Sequence, residues 1–106
     1  MSDAVKSLLD QLETELKQQQ LWRDSSPGAV ALASTLPFCC DTLRLEQWLQ
    51  FIFLPRIRML LQTRQALPGN VSVLPYAEEA FKAQKDRLLP LLQLIKRIDN
   101  VLTAEQ

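Results

Sequence analysis

The sequence predicts an all-α fold, a single-domain helical bundle of four main helices plus a short helix, kinked at a proline. Apolar residues recur at steps of three and four along several stretches, which is the spacing of an amphipathic helix. No stretch of useful length alternates apolar and polar residues as a strand does. With 106 residues the chain has room for one core, so we expect one domain over residues 1–106.

The first predicted helix begins at Ser2, a suitable N-cap, and runs to about Gln20. Its apolar seam consists of Val5, Leu8, Leu9, Leu12 and Leu16. The seam is narrow, so we expect this helix to pack on a groove formed by the rest of the domain. Trp22 follows as an anchor in the core.

A short second helix is predicted after Ser25 and Ser26, because Pro27 suits the first position of a helix. Its apolar residues are Ala29, Val30, Leu32 and Ala33. Pro37 then ends this helix.

The most apolar segment predicts a central helix, capped by Asp41 or Thr42 and kinked at Pro55. The side expected to be mainly buried carries Leu43, Leu45, Trp48, Leu49, Ile52, Phe53, Met59 and Leu60. A second apolar side carries Phe51, Leu54, Ile57 and Leu61. A helix that is apolar over so much of its circumference has to be covered twice, by neighbouring helices or by a partner protein.

Pro75 predicts the start of a further helix, with Glu78 and Glu79 in its first turn. The last apolar seam consists of Leu88, Leu91, Leu92, Ile95, Ile98, Val101 and Leu102. Pro90 predicts a break between Ala83 and Pro90, so we expect two helical pieces in this part of the chain.

Charge and composition argue against several classes of function. Twelve basic and twelve acidic residues give a net charge of zero, which offers no overall attraction for nucleic acid or anionic lipid. No apolar run reaches the roughly 18 residues of a membrane span, so no membrane partner is expected. The N-terminal residues lack the features of a secretory signal, and Cys39 and Cys40 are adjacent and cannot form a disulfide framework. These observations predict a cytoplasmic protein.

No catalytic, metal or cofactor site is predicted, so we expect a protein that is not an enzyme. The chain has no histidine, which leaves Cys39 and Cys40 without a base to activate a thiolate. Two neighbouring thiols also cannot supply the four ligands of a zinc site. We interpret the cysteines as small apolar core residues. A small enzyme with a cysteine nucleophile is the alternative.

The best indication of function is the helix from Trp48 to Arg64. No Asp or Glu occurs from Gln47 to Ala77, so this region is locally basic, and arginine suits phosphate or carboxylate recognition. The candidate partner-binding residues are Phe51, Leu54, Arg56, Ile57, Arg58, Leu61 and Arg64. The residues interpreted as core or caps are Trp22, Phe38, Asp41, Thr42, Trp48 and Pro55. Alternatively, Arg56 pairs with a carboxylate of another helix.

A series of short motifs resembles the YqcC-like family of small gammaproteobacterial proteins. The motifs are Leu21-Trp22, Ala31-Leu-Ala-Ser34, Pro37-Phe38, Asp41-Thr42, Gln47-Trp-Leu-Gln50, Pro55-Arg56, Leu67-Pro68 and Pro75-Tyr76. The resemblance covers nearly the whole chain and implies an all-α bundle without assigned catalytic residues. It also implies a genomic association with a transfer-RNA pseudouridine synthase and a flavodoxin-like protein.

Two functional hypotheses follow. The first is a non-enzymatic interaction or adaptor protein that binds a protein partner, such as a pseudouridine synthase, through the helix from Trp48 to Arg64; a homodimer through the same side is a variant. The second is an accessory factor in transfer-RNA pseudouridine modification that makes weak RNA contact through Arg56, Arg58 and Arg64.

Overall fold

The structure is a computed structural model that describes residues 2–25, 27–33, 43–67 and 72–104. Its elements in chain order are α1 (Ser2–Gln18), α2 (Ala29–Leu32), α3 (Leu45–Trp48), a π-helical turn (Leu49–Phe53), α4 (Leu54–Gln62), α5 (Leu74–Ala80), a 3₁₀ turn (Lys82–Gln84) and α6 (Leu89–Ala104). The elements from α3 to α4 follow one another without interruption and form one long helix over residues 45–62. All these elements are helical, which confirms the predicted bundle of four main helices and one short helix.

The first helix ends in a Schellman motif, slightly before the predicted Gln20. Gln20 adopts a left-handed backbone conformation with a φ of 61°. Its N–H donates to the Lys17 carbonyl over 3.1 Å, and the Leu21 N–H donates to the Leu16 carbonyl over 2.8 Å. These two bonds satisfy carbonyls that the end of a helix otherwise leaves unpaired. Leu21 is thereby directed onto the core, against which it packs.

The long helix begins later than predicted, because its N-cap is Arg44. The Arg44 N–H donates to the Gln47 side-chain oxygen over 3.0 Å, which supplies one half of a capping box. The expectation that Asp41 or Thr42 caps this helix is therefore wrong. Asp41 and Thr42 themselves lie outside the described residues.

A π-helical turn precedes Pro55, the residue at which the sequence predicts a kink. The Leu54 N–H donates to the Leu49 carbonyl, five residues earlier, instead of the usual four. Pro55 lies in the first turn of α4. A proline has no N–H to donate and its ring clashes with the preceding turn of a regular α-helix. The wider turn provides the extra space where that clash would occur.

The π-helical turn also changes which side of α4 faces the core. Each wider turn contains about one additional residue, so the buried face advances by roughly one position downstream of it. Ile57, four residues after Phe53, is buried and only 1% exposed, whereas Met59 is 53% exposed. The prediction that Met59 belongs to the buried side is wrong, because it assumed an uninterrupted α-helical period.

One apolar core joins the four main helices, and α1 packs most extensively on α6. The largest fully buried side chains of this core are Leu9, Leu12, Leu16, Leu49, Leu54, Ile57, Leu88, Leu91, Ile95, Leu102, Val5 and Val73. The narrow seam predicted for α1 thus lies against the rest of the domain, as expected.

A buried glutamine connects the long helix to the segment after α1. Gln50 lies in the π-helical turn and is buried. Its amide oxygen accepts from the Arg23 N–H over 2.9 Å, and its amide nitrogen donates to the Arg23 carbonyl over 2.6 Å. This pair of bonds satisfies both main-chain polar groups of one residue in a segment without regular secondary structure.

A carboxylate of α6 caps the start of α5. Asp99 accepts from the Val73 N–H over 2.9 and 3.1 Å and from the Leu74 N–H over 2.9 Å. These bonds satisfy N–H groups at the beginning of a helix, where a negative charge is also favoured by the helix dipole. The connection between α5 and α6 bends back far enough for the two helices to pack together.

The remaining boundaries agree with the predictions only in part. The short helix α2 begins at Ala29, after Gly28 with a φ of 103°, and not at Pro27. Pro75 lies in the first turn of α5 as predicted. The two predicted helical pieces are present as α5 and α6, but the break begins earlier than Ala83. No helix among the described residues is long and apolar enough to cross a membrane.

The register imposed by the π-helical turn can be tested with a pair of alanine substitutions. We expect Ile57→Ala to lower the free energy of unfolding by about 3 kcal/mol, because it removes buried apolar volume. Met59→Ala, two residues away, should change it by less than about 0.5 kcal/mol. Urea unfolding followed by circular dichroism measures both values. Equal losses would contradict the described register.

Candidate interaction surface

The structure divides the predicted partner-binding residues between the core and the surface. Leu54 and Ile57 are each 1% exposed and belong to the apolar core. Their assignment to a binding surface is therefore wrong, since a partner cannot reach them in the folded chain. Leu61 is half-buried and packs against the same core. Phe51 is also half-buried and is accessible in part.

Arg58 is engaged in ion pairs between helices. Its Nη1 lies 2.8 Å from Glu13 Oε1, and its Nη2 lies 3.2 Å from Asp10 Oδ1. Both carboxylates belong to α1, so the guanidinium connects α4 to α1. The sequence suggested such a pairing for Arg56, but Arg58 is the residue that makes it. Its charge is thus largely compensated within the chain, and it is a poor candidate for contact with RNA.

Glu13 lies between two cations. Lys17 donates to Glu13 Oε2 over 2.8 Å, and Arg58 donates to the other carboxylate oxygen. The hydrogen bonds from Lys17 and then from Arg58 hold the pKa of the Glu13 carboxyl below its ordinary value of 4.5. Partial burial, the next largest cause, acts in the opposite direction, and the charges of Arg58 and Lys17 lower the pKa to a smaller extent. The ionised form is therefore the one that the fold favours.

The exposed side of the long helix forms a narrow strip. We define the α4 strip as Ile52, Arg56, Met59 and Thr63, which follow one another at steps of four, three and four. Arg56 and Thr63 are exposed, and Ile52 is half-buried. Arg56 forms no ion pair in the described part of the chain, so its charge is available to a partner. The strip thus combines an exposed apolar side chain with an available cation.

Arg64 continues this surface beyond the end of α4. It is exposed and adopts a left-handed backbone conformation with a φ of 58°. Its N–H donates to the Leu61 carbonyl over 3.3 Å, and the Gln65 N–H donates to the Leu60 carbonyl over 2.9 Å. These bonds make a second Schellman motif, in which glycine is the usual residue at this position. An arginine here carries a backbone penalty that glycine does not.

Two of the residues interpreted as structural lie beside the core. Trp22 and Trp48 are half-buried and pack against it. Lys17 Nζ lies 5.0 Å from the centre of the Trp22 ring, within the range of a cation–π contact. The rings of Trp48 and Phe53 are 5.3 Å apart between centroids. Pro55, by contrast, is exposed.

Several sequence-based interpretations concern residues outside the described ranges. They are the core role of Phe38, and the interpretation of Cys39 and Cys40 as core residues or as nucleophiles. These stay predictions. Within the described ranges, no group of three or more His, Cys, Asp or Glu side chains is arranged to hold a metal ion.

The chain is similar to several known proteins. Residues 4–101 match the family DUF446, which is described as tRNA pseudouridine synthase C. The chain belongs to this family. The resemblance to YqcC-like proteins that the sequence motifs indicated is confirmed by the relatives that follow.

Two relatives of similar length are uncharacterised proteins. One, from Haemophilus influenzae, is 38% identical over 103 residues, covering 94% of this chain and 97% of the relative. The other, YqcC of Escherichia coli, is 35% identical over 97 residues, covering 92% and 89%. The solution NMR structure of YqcC superposes on this fold with a TM-score of 0.87 at 33% identity, covering 98% of this chain and 89% of that chain.

A third relative is much longer than this chain. A protein of Pectobacterium carotovorum named tRNA pseudouridine synthase C is 41% identical over 66 residues. The match covers 62% of this chain but only 18% of that protein. The similarity is therefore confined to a small part of the longer protein.

Met59 is the surface residue that the sequence analysis missed. A strictly α-helical period places it seven residues after Ile52 and eleven after Trp48, both of which were assigned to the buried side. The available signal was Pro55, because a proline inside a helical pattern indicates that the period is interrupted nearby. The period does not show whether the interruption is a bend or a wider turn, and only the latter shifts the register.

The pH dependence of stability should report the Glu13 interactions. Because the folded-state pKa is lowered, the stabilisation is complete above about pH 4.5 and is lost as the pH falls through the folded-state value. We expect Glu13→Gln to be less stable than the natural chain at about pH 7 and to differ little from it at about pH 2. Urea unfolding at both pH values measures this. A difference that persists unchanged in acid would contradict the assignment.

The left-handed position of Arg64 predicts a stabilising substitution. Arg64→Gly should raise the free energy of unfolding by about 1 kcal/mol, since glycine adopts this conformation without the steric penalty. Arg56→Gly, inside the helix, should lower it by a similar amount, about 1 kcal/mol. Thermal and urea unfolding of the two variants provide a matched comparison. Destabilisation by Arg64→Gly would show that its side chain contributes to the fold.

Proposed function

We propose that this protein is a non-enzymatic binding partner of a tRNA pseudouridine synthase. The observation that carries the proposal is the 66-residue similarity to a stretch of a protein named tRNA pseudouridine synthase C. A protein of that name that contains a stretch similar to this chain suggests that a chain of this kind functions next to a pseudouridine synthase. The description of the family carries the same name.

The extent of the similarity favours a partner over a synthase. The matched stretch makes up 18% of the Pectobacterium protein, so the similarity transfers little of what that protein does as a whole. The relatives that this chain matches over most of their length are uncharacterised proteins of similar size. An adaptor role for the whole family is consistent with both facts.

The α4 strip is the surface that we assign to this contact. An interface needs an apolar centre that excludes water and a charged group that sets specificity. Met59 supplies the exposed apolar group, and its flexible side chain adapts to irregular surfaces. Arg56 lies one turn away and has no internal carboxylate partner among the described residues. The complementary surface on the synthase would be apolar with a nearby carboxylate.

Binding of the purified synthase tests this surface. We expect the chain to bind the synthase of the same organism, and Met59→Asp or Arg56→Glu to weaken binding about tenfold or more. Val30→Asp and Arg97→Glu are matched controls, because they place the same changes on exposed positions of α2 and α6. Isothermal titration calorimetry of nuclease-treated samples measures the affinities.

The possible results test separately whether the synthase is the partner and whether the α4 strip is the contact. If the natural chain shows no binding to the synthase, the proposed function is wrong. If binding occurs but the controls weaken it as much as the α4 substitutions do, the partner is supported and the α4 strip is not the contact.

RNA contact is the second candidate function. Its specific support is that Arg56 and Arg64 are both exposed in a region without carboxylates, from Gln47 to Ala77. Arg64 also occupies a position at which glycine would be less strained, which is compatible with a role for its side chain. Arg58, the third arginine of the RNA-contact hypothesis, forms ion pairs with Glu13 and Asp10.

The salt dependence of binding separates the two candidates. RNA contact predicts that affinity for transfer RNA falls steeply with added salt, and that Arg64→Gly weakens it while the fold is retained. Fluorescence anisotropy with labelled transfer RNA, with and without the synthase, measures this. Absence of binding at low salt in both cases would eliminate the RNA candidate and leave the protein contact unaffected.

A further inference from the structure

A groove lies away from the α4 strip, where the end of α1, the start of α3 and the region from α5 to Arg87 meet. Its volume is about 650 Å³. Sites that bind ligands or side-chain clusters commonly have volumes of roughly 300 to 1,000 Å³. None of its lining residues belongs to α4, so the groove is separate from the surface assigned above. We call it the α1–α5 groove.

The groove has an apolar inner surface. Its apolar lining is formed by Leu21, Leu43, Leu45 and Phe81. Leu43, Leu45 and Phe81 are nearly buried, and Leu21 is half-buried. Leu45 and Phe81 belong to the core and Leu21 packs against it, so this part of the inner surface is preformed. An aliphatic or aromatic side chain placed on it would remove apolar surface of both the side chain and the groove from water, which favours binding.

Arg87 provides a fixed cation at the edge of this groove. Its Nη1 donates to the carbonyl and to the side-chain oxygen of Gln19, over 3.2 and 3.3 Å. Its Nη2 donates to the Gln84 side-chain oxygen over 2.8 Å. All three acceptors are neutral oxygens. The guanidinium is therefore held by neutral oxygens, and no carboxylate of the described residues pairs with it.

The hydrogen-bonding capacity of Arg87 is also incompletely used. A guanidinium has five N–H donors, and the three bonds described engage three of them. Arg44 lines the same groove and forms no ion pair among the described residues. Glu46 is the acidic residue described in the lining. The described lining thus has an excess of positive charge around an apolar inner surface.

We propose that the α1–α5 groove binds a segment of a partner protein in which an apolar side chain lies next to a carboxylate. The apolar side chain packs on Leu21 and Phe81, and the carboxylate accepts from the remaining donors of Arg87. Charge complementarity commits the site to an acidic segment. This inference goes beyond the proposed function, because it identifies a second binding site and does not depend on the identity of the synthase.

A peptide suits this groove better than RNA does. RNA-binding surfaces usually combine a more extended set of cations with aromatic rings on which bases stack. Here the inner surface is formed mainly by leucines, which offer no ring on which a base could stack. Tyr76 is the exposed aromatic residue described at the rim. Single-stranded RNA is nevertheless included among the probes, as a competing outcome.

The test uses a blocked tetrapeptide, Asp-Leu-Phe-Asp, added at millimolar concentration to the full chain. We expect saturable changes in the amide NMR signals of residues that line the groove. The matched peptides Lys-Leu-Phe-Lys and Asp-Ser-Ser-Asp should each bind at least about tenfold more weakly, since one lacks the carboxylates and the other lacks the apolar side chains. Oligouridine serves as the RNA probe.

Two variants test whether the charge of Arg87 and the rim of the groove determine tetrapeptide binding. Arg87→Gln should weaken tetrapeptide binding about tenfold, because it removes the charge. Ala83→Glu should do the same without removing the Arg87 side chain, because it places a carboxylate at the rim. Lys85→Gln is the control, since Lys85 is exposed but does not line the groove. Unchanged amide spectra elsewhere would show that each variant is folded.

Several results would overturn this inference. They are the absence of saturable binding, equal affinity for the three peptides, a Lys85→Gln effect as large as that of Arg87→Gln, and tighter binding of oligouridine at the same signals. None of them bears on the synthase contact, which is measured with a different partner and different variants.

Discussion

The π-helical turn before Pro55 is the constraint on which the course of the long helix, and with it the proposed α4 contact, depends. Because proline lacks an N–H and crowds the preceding turn, a regular helix through this position would lose a hydrogen bond and clash. Widening the turn avoids the clash but adds about one residue to it. Downstream of this turn Ile57 lies in the core and Met59 lies outside it. Arg56 and Met59 are three residues apart in α4, so they lie on one strip of the helix.

Polar contacts then fix how the remaining helices are placed around the long helix. Arg58 connects α4 to α1, and Gln50 connects the π-helical turn to the main chain of Arg23. Asp99 connects α6 to the start of α5. Each contact satisfies polar groups that apolar packing alone would leave unpaired, so each disfavours alternative packings of the same apolar seams. The arrangement of both proposed binding surfaces depends on these contacts as well as on the core.

The number of helices and the core seams of α1 and α6 could be predicted from the sequence because they depend on local periodicity and on proline. The helix starts were predicted less well. Arg44 is an unusual N-cap, and the supporting bond comes from Gln47, whose side chain the usual cap preferences do not single out. Polar contacts such as that of Arg58 with Glu13 join residues far apart in sequence. No local pattern indicates that Arg58, and not Arg56, forms the ion pair with α1.

The same long-range contacts change the interpretation of the basic region. In the sequence, Arg56, Arg58 and Arg64 form one group, but in the fold Arg58 is compensated by α1. The cations that remain available are separated by about two turns of helix, which is a sparse arrangement for binding a phosphate chain. A sparse pair of cations beside an exposed methionine is better suited to a protein surface with a few carboxylates. The exposed part of α4 is therefore better suited to a protein contact than to an RNA contact.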